Sequence, residues 1–518
     1  MNAWRMIRSA LLDWRFGALV IAAAAVAVYW PAMNRVFAAD QLWYFAEVDG
    51  DPSLSAGLRH IDYAISRTYW RGDDLLFRPV LFIWLAIANR LFSYHHVWWN
   101  MASLALHVGV AVALLRLFLA IRPSFFALPA AVTFAVLEPP MELVVWSHLG
   151  GYLLACLFLV WGLIAFVALM EGPVDWRRSI AYAVPFSLGG LTYEALVPIA
   201  AAGAVIVVVT RTRARGSTDP ERGSLSAGRI AVLFCPVLVF SVLYVFHALQ
   251  APRLSYVGRA DNEMLFEIAN VGRVVNGMGR MLAAWTRELA LPTALHLWMA
   301  PFERFNKTFE PAWSQPALLV NASLAVLGAA LTALAGSRRR MSEAGPLHVL
   351  LLSATVAYTA IIAFGRSTDE VAAITYYSYL YAVLLFVLAY SLVDFNRLTG
   401  RKGLLAAVLL CAFAVVHARG TSATAREVQR VNRYPSLYLT RVIAFVDQHR
   451  AESEFSFMIE PHPESVDPAV LLATGYPHDP GAVRSHRRMT EILFAPYYDD
   501  GDPKYVLGAS AEQFRARR

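Results

Sequence analysis

Apolar runs recur along this chain, many close to the length that crosses a bilayer, and no other feature restricts its folding as strongly. They occupy residues 17–37, 79–92, 97–119, 125–137, 143–170, 180–210, 230–249, 317–334, 347–364, 379–393 and 404–416. A hydrocarbon core about 30 Å thick takes roughly 20 residues of helix to cross, and backbone inside it must satisfy its own hydrogen bonds, as a helix does. Of the 518 residues, 58% are hydrophobic and 16% charged, whereas soluble domains run at about 45–50% and about 25%. A cytosolic enzyme is excluded. The expected architecture is an all-α polytopic membrane bundle.

The loops between the runs differ in sign. Arg116 with Arg122, Arg177 with Arg178, the stretch Arg211, Arg213, Arg215, Arg222 and Arg229, then Arg338 to Arg340, then Arg397, Arg401 and Lys402 are basic, which marks cytoplasmic loops. The net charge of +7 is therefore a topology label, and no nucleic-acid partner is expected. The remaining loops carry acids and fall outside: Asp40, Glu47, Asp49, Asp51, Asp62, Asp73 and Asp74 in one, Glu138 and Glu142 in another, Asp369 and Glu370 in a third. Run 180–210 is basic at both ends, so it must enter and return, with Tyr193 and Glu194 near its apex. Each arm spans only about 20 Å, which puts the bend at membrane depth, beside protein or a wet cavity. Run 79–92 is short for a crossing and is taken as a juxtamembrane helix in the first outer loop. Eleven membrane helices are expected, with the N-terminus cytoplasmic and the C-terminus on the periplasmic side of a bacterial inner membrane.

Arg5, Arg8 and Arg15 precede the first run in a signal-like pattern, but that run is longer than a signal core and is expected to stay as the first helix. Cys156, Cys235 and Cys411 all sit in apolar runs, which supplies neither a disulfide framework nor metal spacing. Segment 250–316 lies outside and is amphipathic around 266–289. After Val416, Pro435, Pro461, Pro463, Pro468, Pro477 and Pro480 punctuate a polar tail with a helix-like stretch at 437–449 and a strand-like one at 455–459. The chain is accordingly divided into a transmembrane catalytic module, 1–418, and a small extracytoplasmic α/β domain, 419–518.

Several polar groups stand where chemistry is possible. Asp40 follows the first helix directly, so its distance from the membrane is set by that helix; a carboxylate between apolar and wet surroundings can act as a general base. Arg78-Pro79 closes the same loop. Glu138 and Glu142 flank Pro139-Pro140, and either acid could orient an acceptor. His148 is either a proton partner or phosphate donor, or a hydrogen-bonded structural histidine. Asn100 and His107, seven apart on one apolar helix, share a stripe; they mark either a helix-to-helix hydrogen bond or a cavity wall. Arg366 at an outward helix end suits a phosphate, though snorkelling to ordinary lipid phosphate is the competing reading. Tyr376, Tyr377 and Tyr379 open the next helix as an interfacial belt or part of a site. Asp49-Gly50-Asp51 precedes Pro52 and reads as a turn, and no metal is expected.

The order of these motifs resembles the GT-C superfamily of polytopic glycosyltransferases, which includes the protein O-mannosyltransferases and lipid A aminoarabinose transferases. The likeness rests on Asp40 past the first helix, Arg78-Pro79, Asn100 to His107, Pro139-Pro140 before Val144-Val145-Trp146, Glu194 before Pro198 and a Tyr-rich late helix, and it covers roughly 17–393. Two positions depart from the pattern: Gln41 stands where a second acid is common, and Tyr193 where a basic residue often precedes the glutamate.

The resemblance implies a polyprenyl-phosphate-linked sugar as donor, a protein, lipid or cell-envelope glycan hydroxyl as acceptor, and no cofactor. It also implies that Asp40 deprotonates the acceptor while Arg366 and His148 stabilise the departing phosphate. Arg78, Asn100, His107, Glu194 and Tyr376 are the further candidates for holding the donor. A donor borne by the membrane accounts for the absence of a Gly-rich nucleotide loop. A lipid-linked glycan flippase would place its ionisable residues at the midplane of broken helices, whereas here the acids gather on one side, Glu194 being the exception. An O-antigen polymerase or acyltransferase would use His95, His96 or an arginine-rich loop.

Overall fold

The computed structural model describes residues 12–35, 78–92, 95–214, 225–250, 271–290, 345–365, 377–393, 398, 400–431, 498–499 and 502–503. Its helices are α1 (Trp14–Tyr29, continued by a 3-10 turn Trp30–Ala32), α2 (Pro79–Phe92), α3 (His96–Ile121), α4 (Ala127–Ala135), α5 (Pro140–Val145), α6 (Gly150–Glu171), α7 (Trp176–Thr192), α8 (Leu196–Ala214), α9 (Ala227–Gln250), α10 (Val271–Ala290), α11 (Gly345–Gly365), α12 (Ser378–Leu392) and α13 (Gly400–Val431). Six are long and apolar enough to cross a membrane, within α1, α3, α6, α9, α11 and α13, and shorter apolar helices lie in α2, α8 and α12. The protein is therefore an integral membrane protein built of helices. A two-residue antiparallel pair, Tyr498–Asp499 with Asp502–Pro503, is the only strand structure among the described residues, so the expected C-terminal α/β domain lies almost entirely outside them, as does run 317–334.

Helix starts and stops follow local chemistry. The Asp13 carboxylate accepts from the Arg15 amide at 2.8 Å to cap α1, and Asp175 does the same for Arg178 in α7. Helix α3 ends at Arg122, whose extended backbone is the conformation favoured before Pro123. Helix α6 runs through the centre against α3 and α7; Gly162 lets α7 approach so closely that a Cβ there would lie 2.5 Å from the Phe186 ring.

The contacts sort helix ends into two groups. At one end the Arg211 guanidinium donates to the Leu169 carbonyl and, at 2.6 Å, to that of Gly172, closing the C-terminus of α6. There too Arg178 donates to Pro173 and Tyr390 to the Arg122 carbonyl. These are the basic connections of the sequence. The opposite ends of α6, α7, α8 and α12 meet around Tyr152, Tyr193 and Tyr377.

Three of the apolar runs differ in length from the helices they form. The two arms of run 180–210 are α7 and α8, an antiparallel hairpin joined by Tyr182, whose hydroxyl donates to Ala200 at 2.6 Å. With 17 and 19 residues they span about 26 and 29 Å, longer than expected, because the helices continue through the basic flanks at both ends. The Tyr193–Ala195 turn joins them at the end of the hairpin. Run 125–137 forms only the nine-residue α4, about 14 Å, because Pro139 and Pro140 cannot extend it. Helix α13 runs past the 418/419 division without a break to Val431.

The proline break exposes carbonyls in an apolar setting. Proline at 139 and 140 removes the amides that would bond Ala135 and Val136 in a continued helix. His107 Nε2 donates to Ala135 at 3.1 Å, Thr421 Oγ1 donates to Val136 at 2.6 Å, and the Tyr29 hydroxyl donates to Leu137. Three helices, α3, α13 and α1, each supply one donor, so the break is the joint at which they meet.

Candidate active site

Pro79 begins α2 in the position where its missing amide is harmless, which leaves Arg78 at the mouth of the helix. Gly150 and Gly151 let Trp84 and Leu81 of α2 lie directly on the start of α6, and this brings Arg78 to Tyr152. The turn between α7 and α8 delivers Tyr193 and Glu194 to the same point. Arg78 Nε donates to Glu194 Oε2 at 2.8 Å and Nη2 to Oε1 at 2.7 Å, a bidentate pair. The guanidinium lies 4.8 Å from the Tyr193 ring centroid and 5.9 Å from that of Tyr152. The pair is partly open, with side chains 14% and 32% exposed. Burial by itself raises the Glu194 carboxyl, but the charge and hydrogen bonds of Arg78 outweigh it and hold the carboxyl below its ordinary value.

Aromatic residues from four helices and the α7–α8 turn surround this pair. Tyr193 meets Tyr358 of α11 at 6.3 Å and Tyr152 at 4.8 Å, Tyr152 meets Tyr377 at 6.0 Å, and Tyr358 meets Trp285 of α10 at 5.8 Å. The Tyr358 hydroxyl donates to the Tyr377 carbonyl at 2.7 Å, and Thr286 shares a 2.9 Å hydrogen bond with Tyr381.

A second charged group lies on the other side of residues 146–152. Arg35, just past the end of α1, stacks 5.5 Å from the Trp146 ring; burial lowers its guanidinium to about 10, with the charge of Glu142 opposing. Asn100 Nδ2 donates to the carbonyls of Met33 and Arg35 at 3.0 and 2.8 Å, fixing the chain as it leaves α1. Glu138 is buried, 2% exposed, and accepts from Thr424 of α13 at 2.7 Å.

The predicted residues therefore separate. Arg78 and Glu194 are brought together, and Glu142 interacts electrostatically with Arg35, which was not singled out from sequence. Asn100 and His107 are engaged with protein: His107 is fully buried, its Nδ1 accepts from the Tyr379 hydroxyl at 2.8 Å, and its Nε2 caps Ala135. His148 lies in a 3-10 turn, Ser147–Leu149. Asp40, Arg366 and Tyr376 lie outside the described residues. Tyr152, Tyr358, Trp285, Thr421 and Thr424 were not singled out from sequence. The spacings of four and three that put His417, Thr421 and Thr424 on one stripe of α13 were the available signal. Among the described residues no group of three or more His, Cys, Asp or Glu side chains could hold a metal ion.

The fold and these clusters define a polytopic helical membrane protein with Arg78, Glu194 and their tyrosines at one end and Arg178 and Arg211 at the other. No protein-family model matches the chain, and no curated protein matches it significantly. Among solved structures it is similar to the Archaeoglobus fulgidus oligosaccharyltransferase in complex with zinc and sulfate, at 14% identity and a TM-score of 0.42, over 79% of this chain and 53% of that one. It is also similar to the archaeal oligosaccharyltransferase AglB from Archaeoglobus fulgidus in complex with an inhibitory peptide and a dolichol-phosphate, at 13% identity and a TM-score of 0.36, over 80% and 55%. The chain spans about half the length of these structures.

Proposed function

We propose that the protein is a membrane glycosyltransferase that moves a sugar from a polyprenyl-phosphate-linked donor to a hydroxyl acceptor at the end of the bundle that carries Arg78 and Glu194. The observation that supports this best is the clustering of Arg78, Glu194, Arg35, Glu142 and their aromatic partners at one end. Asp40 lies in the sequence between Arg35, just past the end of α1, and Arg78, at the start of α2. It is five positions beyond Arg35, a reach of at most about 18 Å.

In the reaction, Asp40 takes the proton of the acceptor hydroxyl, whose oxygen forms a bond to the anomeric carbon. The bond from that carbon to the phosphate oxygen breaks, and polyprenyl phosphate leaves with the electron pair. Arg366, one residue beyond α11, meets the phosphate charge with His148, and Tyr376 borders the donor. Arg78 is already bidentate to Glu194, so its part is to fix the α2 and α7–α8 walls of the site and present a compensated charge to the donor. Glu142 orients the acceptor, while the buried Glu138, held by Thr424, positions the turn before α5. Preorganised donors at the developing phosphate charge are what lower the barrier.

Purified protein in detergent, given radiolabelled polyprenyl-phosphate sugars and a panel of hydroxyl acceptors, should transfer the sugar. Asp40→Asn should reduce turnover by at least about 10³-fold, in the range expected for removal of a general base together with its charge, while leaving folding intact. Absence of transfer by the wild type with every donor overturns the proposal, and full activity of Asp40→Asn removes Asp40 from it.

A further inference from the structure

Helices α1 and α3 carry their own markers of membrane depth. They pack antiparallel: Gly17 near the start of α1 lies on Leu115 near the end of α3, and at the other end His96 Nε2 donates to Asn34 Oδ1 at 3.2 Å. At this second end Trp30 and Trp98 are exposed, by 60% and 59%, as indoles are in the aromatic belt of a membrane interface. Trp14 lies 16 positions before Trp30, and Arg116 lies 18 positions after Trp98. These intervals are about 24 and 27 Å of helix, close to the thickness of a hydrocarbon core. Eighteen residues are also about five whole turns, so Arg116 and Trp98 share one face of α3. Trp14 and Arg116 therefore stand at the opposite membrane boundary from the two exposed indoles. This is the basic end, because α3 runs parallel to α6, with Ser103 beside Gly150 and Gly109 beside Leu157, and Arg211 closes the C-terminus of α6.

At that boundary two guanidiniums lie against one indole. Arg116 Cζ is 5.1 Å from the Trp14 ring centroid and Arg15 Cζ 5.8 Å, both within cation–π range. All three side chains are exposed. A ring face uses the charge of a guanidinium but leaves its N–H donors for another acceptor. Among the described residues neither side chain has a hydrogen bond or an ion pair, and the neighbouring Asp13 carboxylate accepts from the Arg15 amide to cap α1. One turn along α1 from Arg15, Leu19 is 72% exposed, and Phe16 beside it is exposed as well. An acidic soluble partner would not need these apolar side chains. An amphiphile uses both parts, an anionic phosphate at the arginines and an acyl chain along the apolar residues. We propose that Trp14, Arg15 and Arg116 form a binding site for the phosphate of an anionic phospholipid at the basic end of the bundle, with its acyl chain against Phe16 and Leu19.

The test uses the full chain, delipidated in dodecyl maltoside and titrated with phosphatidylglycerol or phosphatidylcholine, with bound lipids counted by native mass spectrometry. Wild type should bind its first phosphatidylglycerol about tenfold more tightly than phosphatidylcholine, in keeping with two arginines at an anionic surface. Arg15→Gln/Arg116→Gln should abolish the preference. Arg401→Gln/Lys402→Gln removes the same charge from exposed side chains and should keep it. These two lie at the same end, about 30 Å along α13 from Thr421, which meets the bundle beside Tyr29. If the double variant does not fold, Arg15→Gln and Arg116→Gln should each weaken phosphatidylglycerol binding several-fold, and no weakening in either overturns the proposal. A preference absent from wild type, retained in the double variant, or lost equally in the Arg401/Lys402 control also overturns it. Displacement of phosphatidylglycerol by an equal concentration of inorganic phosphate would overturn it in favour of a site for a free anion.

Discussion

Arg78 and Glu194, 116 residues apart in the chain, form a bidentate ion pair with both oxygens of the carboxylate engaged at 2.7 and 2.8 Å. The pair joins the mouth of α2 to the turn between α7 and α8, so three helices are tied at one point that stays partly open to the outside.

Breaking the pair should be costly from either side. Removing one partner of a partly buried pair leaves the other charge poorly compensated, at about 1–3 kcal/mol given the exposure. Arg78→Ala and Glu194→Ala should each lower the melting temperature in detergent, and the double variant should lose less than the sum. Because Arg78 holds the Glu194 carboxyl below its unfolded value, which is about 4.3, the stabilisation is present above that value and is lost as pH falls through the folded one. The difference in melting temperature between wild type and Glu194→Gln should therefore shrink on acidification below about pH 4. A constant difference between pH 7 and pH 3 would contradict the pairing.

His107 should matter to stability and not to donor affinity. A carbonyl oxygen can only accept, so Nε2 carries the proton and Nδ1 takes the Tyr379 hydroxyl. His107→Phe strands the Ala135 carbonyl and should cost about 1–3 kcal/mol, read as a lower melting temperature. The KM for a polyprenyl-phosphate sugar should stay within about twofold, since uniform ground-state binding is untouched. A large KM increase with unchanged stability would place His107 in the donor site.

Two glycines predict opposite signs. Gly162→Ala forces a methyl against the Phe186 ring and should destabilise by about 1–3 kcal/mol. Gly279→Ala, on the exposed face of α10 with nothing within 4 Å of the new carbon, should stabilise by about 0.5–1 kcal/mol. Thermal unfolding of both variants beside wild type is sufficient to decide.

Arg211 closes α6 through carbonyls that a shorter group cannot share. The guanidinium reaches Leu169, Met170 and Gly172 from α8, whereas a lysine ammonium lacks the planar fork. Arg211→Lys should recover only part of the stability lost in Arg211→Gln, and equal melting temperatures for Lys and wild type would show that charge alone suffices.

The apolar runs and the sign of the loops were legible without coordinates, because both are local properties: helix length follows composition, and arginines label one side. The ends bearing Arg178 and Arg211 do meet, as do the ends bearing Tyr152, Tyr193 and Tyr377. Helix lengths at 125–137 and 180–210 were less legible. A hydropathy run stops at the first polar flank, but a helix continues through it when its backbone bonds persist, and it stops inside the run when proline removes them.

By itself, then, the sequence determined a helical membrane protein, with acids and arginines segregated and a double proline that must leave carbonyls unbonded. Only the tertiary structure decided that His107, Thr421 and Tyr29 would supply those bonds, and that Arg78 would meet Glu194. Periodicity and charge bias act within about 20 residues of chain. The choice of hydrogen-bond partner depends instead on which helices lie side by side, and in an apolar interior an unpaired polar group is expensive enough to make that choice unique.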